Sequence, residues 1–139
     1  MHLVLRVLAT AQAMGKAGQR IFKSYGLTVA QFNVLNLLSD QPEGIHASAL
    51  AKALIVDPSN ITGLLNRMKR EGYLKELKNP NDGRQRVVTL SSSGRRLWER
   101  AHVKYQRVLE AFESKIAQGD RSITDKVLAY MVAESDSLQ

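Results

Sequence analysis

Two neighbouring stretches gather the side chains of this chain best suited to hydrogen-bond recognition and to anions: PSNITGLLNRMKRE (58–71) and NPNDGRQRVVTL (79–90). In the first, Ile61, Leu64, Leu65 and Met68 recur at helical spacing, so a helix here turns them inward. At about 100° per residue, the opposite face carries Ser59, Gly63, Asn66 and Arg70. Asn60 and Arg67 flank that face on one side and Thr62 on the other, and no acid stands among them. Small amides, hydroxyls and guanidiniums are the groups that reach base edges in a major groove, where Asn pairs with adenine and Arg with guanine. Gly63 costs roughly 1 kcal/mol of helix stability; bare helix there lets a backbone approach closely. The alternative is an ordinary solvated face with a tolerated glycine.

The second stretch reads as a hairpin. Asp82-Gly83 is a strong turn signal because glycine takes a positive φ at no steric cost. Strands are expected near 73–77 and 86–90, with Leu74, Leu77, Val88 and Leu90 turned inward and Arg84 and Arg86 projecting at the tip. A lone hairpin is marginal in water, so it must lean on helices. A narrow arginine-bearing ribbon beside a major-groove helix suits the adjacent minor groove, whose negative potential attracts guanidinium. Asp82, two residues before Arg84, either holds that side chain extended by a bidentate pair or serves the turn alone.

These stretches need elements to position them. Residues 3–24 have helical periodicity, weakened by Gly15 and Gly18 and ended by Gly26. In LTVAQFNVLNLLSD, Thr28 and Gln31 form a capping box, and Val29, Phe32, Leu35 and Leu38 form the apolar stripe. HASALAKAL is a short helix. After the link IVD, Asp57 is a good N-cap and Pro58 sits at the first helical position; Gly72 stops the helix. Two helices about three residues apart are the helix-turn-helix signature. After the hairpin, SSSG opens a long helix over roughly 92–117, broken at Gly119-Asp120, and a last helix covers about 121–134. The fold class is mainly α with one small β-hairpin.

The 139 residues suggest one domain able to bury its own core. With no cysteine there is no disulfide and no thiolate metal site. The net charge of +7 is unevenly placed. Residues 67–86 hold seven basic and three acidic side chains, whereas residues 105–139 hold four and six. A basic centre with a near-neutral tail is an electrostatic footprint, most often for nucleic acid, with a solvated basic face as the alternative. MHLVLRVLATAQA lacks a basic leader and is interrupted by Arg6, so it reads as helix rather than signal peptide. No stretch approaches the roughly 18 apolar residues of a membrane span, and a cytoplasmic protein is expected. His2, His46 and His102 are scattered without ligand spacing, and there is no nucleophile–base set, phosphate loop or carboxylate pair. No metal, no cofactor and no enzyme activity are expected.

LTVAQFNVLNLL, ALAKALIVDPSNITGLLNRMKREGYL and NPNDGRQRVVTLSSSG resemble, in order and spacing, the MarR family of winged-helix regulators. The resemblance covers roughly residues 27–95. It implies a winged helix-turn-helix part over about 28–90, flanked by dimerisation helices over about 1–24 and 92–139. The wing pattern D-x-R, then a short strand and L-T/S, falls on Asp82, Arg84, Leu90 and Ser91. By resemblance, Arg84 enters the minor groove and Asp82 orients it. Ser59, Asn60, Thr62, Gly63, Asn66 and Arg67, with Arg70 beside them, then read the major groove of double-stranded DNA. Ile55 stands where helix-turn-helix proteins often have glycine. Glu76 stands where many members have a basic residue, which weakens backbone contacts on that side.

The terminal apolar residues Leu3, Leu5, Val7, Leu8, Ile123 and Val127 exceed what so small a core can bury, so an isologous homodimer is expected, as the resemblance also implies, with an intramolecular bundle as the alternative. The resemblance also implies a small, often aromatic, anionic effector that lowers DNA affinity. Phe22, Tyr25, Phe32, Trp98, His102 and Tyr105 are the candidates for its pocket, each with plain core packing as the alternative. The function expected is a sequence-specific regulator, a repressor of a pseudo-palindromic operator. The competing reading is a winged-helix module that uses its helix face for protein.

Overall fold

The computed structural model describes residues 2–54, 58–79 and 82–135, with backbone alone at 58, 59, 79 and 83–85. The order is α1 (Leu3–Lys23), α2 (Val29–Ser39), α3 (Ala47–Leu54), α4 (Pro58–Arg70), β1 (Leu74–Asn79), β2 (Asp82–Leu90), α5 (Ser92–Glu113) and α6 (Gln118–Ser135). Met1–Lys104 and Tyr105–Gln139 are two compact units, the boundary falling inside α5. Ile55 and Asp57 lie outside the described residues. No helix among the described residues is long and apolar enough to cross a membrane.

Helix ends in the first unit are set by local chemistry. Thr28 caps α2 by accepting from the Gln31 amide at 3.1 Å, while Gln31 Oε1 accepts from the Thr28 amide at 2.9 Å. This is the reciprocal box the sequence predicts. Gly26 and Gly72 take φ of +71° and +80° after α1 and α4. At both, the glycine amide donates three residues back and the next amide five back, to Lys23 and Phe22 in one case and Lys69 and Met68 in the other. That is the Schellman arrangement, which needs a left-handed residue.

The core lies where α2 meets its neighbours. Val34, Leu35 and Leu38 of α2, Leu50 of α3 and Met68 of α4 are fully buried. Phe22 of α1 stacks on Phe32 of α2, ring centroids 4.0 Å apart, and both are buried.

The hairpin differs from its sequence reading in three ways. First, the strands are longer, and Asp82 and Gly83 stand inside β2 rather than at the turn. Asn79 pairs with Asp82 and Lys78 with Arg86, so Gly83, Arg84 and Gln85 form a bulge in β2 with no opposing residues in β1. Secondly, Leu77 does not turn inward with Leu74; it is 38% exposed. Three residues apart on a strand of period two, the pair must point to opposite faces. Thirdly, Val87 and Thr89 are buried along with Val88 and Leu90. Ile45 pairs with Val88 on the side of β2 away from β1, exchanging hydrogen bonds of 2.8 and 2.9 Å. β2 is thus flanked on both edges. Gly44 allows this approach: it has φ +84°, and a Cβ there would meet Val87 Cγ2 and the Val88 carbonyl at 2.9 Å.

The C-terminal helices also shift. α5 ends at Glu113, and Gly119 and Asp120 start α6 instead of breaking the chain before it. An acid in the first turn of a helix favours it by facing the positive end of the helix dipole.

Candidate nucleic-acid interface

Pro58 opens α4, and the helical spacing divides its side chains as expected. Ile61, Leu65 and Met68 are each 3% exposed or less, and Leu64 is half-buried. Asn60, Thr62, Gly63, Asn66, Arg67 and Arg70 are exposed. The Ser59 side chain lies outside the described residues. Gly63 faces open space, with nothing within 4 Å of where a Cβ would stand. Arg67, Lys69 and Arg70 fill the last turn, complementing the negative end of the helix dipole.

The end of α4 is sewn to the hairpin and to α5. Ser91 is the centre of this joint. Its hydroxyl donates to the Gly72 carbonyl at 2.6 Å and accepts from the Gly94 amide at 2.9 Å, capping α5. Its own amide donates to the Tyr73 carbonyl at 3.0 Å. Gly94 packs so closely on the Tyr73 carbonyl that a Cβ there would overlap it. These contacts tie the end of α4 to the end of β2 and the start of α5.

On the wing, Asp82 is half-buried, and Arg84 lies in the bulge with its side chain outside the described residues. Arg86 is exposed, and its backbone carbonyl lies 3.2 Å from His46 Nδ1. Between wing and helix sits a charge cluster that sequence reasoning missed. Lys69 Nζ of α4 lies 2.5 Å from Glu76 Oε1 of β1, and Arg86 Nη1 of β2 lies 3.8 Å from Glu76 Oε2. The Lys69 hydrogen bond holds the Glu76 carboxyl below the usual carboxylate range, helped by the positive charges of Lys69 and Arg86 and opposed by desolvation. No linear motif signals this pair, because seven residues and a change from helix to strand separate its members.

Five of the six aromatic candidates lie in the first unit and Tyr105 in the second. Phe22 and Phe32 pair in the core. Trp98 and His102, one turn apart on α5, stack at 4.7 Å, and Trp98 Nε1 donates to Asn36 Oδ1 at 3.1 Å. His102 Nδ1 is buried without a hydrogen-bond partner among the described residues. Tyr25 lies under the Arg100 guanidinium at 5.7 Å. Tyr105 is half-buried in the second unit. A surface cavity of about 480 Å³ lies elsewhere, among α2 (Val29, Ala30, Asn33), Leu54 of α3 and α4 (Asn60, Ile61, Leu64). No cluster of three His, Asp or Glu able to hold a metal occurs among the described residues.

A family model, "MarR family", matches residues 25–85, which span α2 to the wing bulge. Over 99% of its length the chain is 34% identical to the transcriptional activatory protein BadR of Rhodopseudomonas palustris, covering 79% of that protein. The chain belongs to the MarR family. It is also similar to the homoprotocatechuate degradative operon repressor of Escherichia coli, 26% identical over 99% of this chain and 92% of that one. Its fold matches that of Staphylococcus aureus MepR, solved as a DNA complex, with a TM-score of 0.86 at 18% identity over 96% of this chain and 98% of that one. This MarR-family chain is thus a winged helix-turn-helix transcription regulator of the DNA-binding type.

Proposed function

We propose that this regulator is a homodimer that reads a pseudo-palindromic operator in double-stranded DNA, represses from it, and is released by a small aromatic anion. It acts in the cytoplasm by binding and not by catalysis. One observation carries the reading: the exposed face of α4 presents Asn60, Thr62, Gly63, Asn66, Arg67 and Arg70 with no acid among them. Amides and guanidiniums on a projecting helix suit base edges. Ser59 joins them by position. The wing supplies Asp82, Arg84 and Arg86 to the flanking minor groove.

Apolar residues left exposed support the dimer. Leu3, Leu5 and Leu8 of α1 are more than half exposed, as are Ile123, Tyr130 and Val132 of α6. Exposed apolar surface of this kind marks interfaces. Helices over 1–24 and 92–139 then pair two copies, and the part over 28–90 reads one half-site in each. For the effector, the half-buried Trp98–His102 stack with its unpartnered Nδ1 is the best-equipped of the aromatic groups to meet an aromatic carboxylate. Phe22, Phe32, Tyr25 and Tyr105 complete the candidate set. A relative named for the repression of homoprotocatechuate degradation supports the aromatic class.

Selection of bound duplexes from a randomised pool at physiological salt tests this reading. The expected result is a two-fold-symmetric motif with half-sites about 10 base pairs apart. A reporter driven from that motif then separates repression from activation. Absence of any enriched motif from the effector-free protein would return the helix face to a protein-binding role.

A further inference from the structure

Glu76 stands at the seam between the two DNA-facing elements. On β1 it pairs with Val88, on the same strand face as Lys78 and Arg86. Its two carboxylate oxygens face different cations: Oε1 takes Lys69 from the last turn of α4, and Oε2 faces Arg86 of the wing strand. All three side chains reach solvent, with Lys69 28%, Glu76 33% and Arg86 65% exposed. The carboxyl is therefore not there to fill a core. The other acids nearby are placed differently: Glu71 accepts from Gln31 at 3.0 Å, and Asp82 is at the far end of the wing.

We propose that Glu76 is a specificity-determining residue that withholds Lys69 from DNA phosphates, keeps Arg86 for the minor groove rather than for phosphates, and so suppresses sequence-independent binding. The inference rests on the DNA-reading role proposed above. Phosphate contacts supply most non-specific affinity, and each neutralised phosphate steepens the salt dependence by about 0.9 in log–log slope. A cation already held by a carboxylate must exchange that partner for a phosphate, so it adds little. Base contacts from Asn66 and Arg67 lie outside this exchange and keep their full value. The pair thus lowers background binding more than operator binding, and it fixes the wing to the helix while doing so. The depressed Glu76 pKa agrees with a carboxylate that stays ionised beside both cations.

The test compares the wild-type dimer with Glu76→Gln, which keeps side-chain volume and removes the charge. Binding to the selected operator and to an unrelated duplex is titrated over a salt series, with thermal melting as the folding control. For the unrelated duplex the slope should steepen by about 1 to 2 and low-salt affinity should rise about tenfold. Operator affinity should rise less, so the ratio of the two falls. Lys69→Gln should change the slope little in the wild type and by about 1 in the Glu76→Gln background. Equal slopes in wild type and Glu76→Gln would overturn the proposal, as would a Lys69→Gln effect that is the same in both backgrounds. A wild-type protein whose duplex binding ignores salt would instead overturn the DNA reading itself.

Discussion

The two faces of α4 are built from the same thirteen residues and answer to different partners. Ile61, Leu65 and Met68 are sealed against the chain's own core, while Asn60, Asn66, Arg67 and Arg70 face outward. The inner face decides whether the helix is held; the outer face decides what it can hold. Because side chains three and four apart share a face, the two roles separate residue by residue along one helix. Met68→Ala should therefore break the first without touching the second. Met68 is fully buried, so truncation should cost about 2–5 kcal/mol of folding stability. Chemical denaturation gives that number, and the base preference of the folded fraction should stay unchanged. A shift in preference would mean that the inner face also tunes the outer one.

Asn66→Ala is the mirror experiment. The denaturation midpoint should hardly move, since the side chain is exposed, while discrimination at one or two base pairs falls by about 1–3 kcal/mol each. Competition against single-substitution operators measures it. Arg84→Ala sharpens the comparison from the wing. It should weaken binding roughly evenly across sequences that differ only under α4, with a salt slope shallower by about 1. If its effect depended on the bases under α4, wing and helix would be reading one shared feature.

The outer face was legible from sequence for the same reason it can be tested one residue at a time. The spacing of Ile61, Leu64, Leu65 and Met68 locates both faces at once, and Pro58 and Gly72 bracket the helix through their own backbone limits. The Thr28–Gln31 box was likewise visible because it is written within four residues. What lay hidden was non-local. Asp82-Gly83 carries a turn signal, but the register that places it inside β2 depends on pairing across the whole hairpin. Val87 is buried because the Gly44–Ile45 segment flanks β2, and nothing in GIH announces a strand partner. In the sequence Ser91 reads only as part of a wing pattern; its double hydrogen bond to Gly72 and Gly94 depends on the end of α4 being in place. Glu76 read as a departure from a basic position, whereas its partner Lys69 sits on another element.

The smallest expected effect comes from that last residue, because Lys69 lies at the border of the two faces and belongs to neither. The folded-state pKa of Glu76 is depressed by the Lys69 hydrogen bond, with Arg86 adding to it. The sign follows from linkage: such a group stabilises the fold fully above its unfolded pKa and loses that contribution as pH falls through the folded value. Wild type should therefore exceed Glu76→Gln in stability from about pH 5 upward. The gap should close in acid, once the carboxyl is protonated. All three side chains are solvated, so the gap should stay under about 1 kcal/mol and shrink further with salt. Urea midpoints of the two proteins at pH 7 and in acid measure it. A gap that persists unchanged in acid would show that the carboxylate's charge is not what ties Lys69 to the wing, and would move the contribution of Glu76 to the packing of its methylenes beside α4.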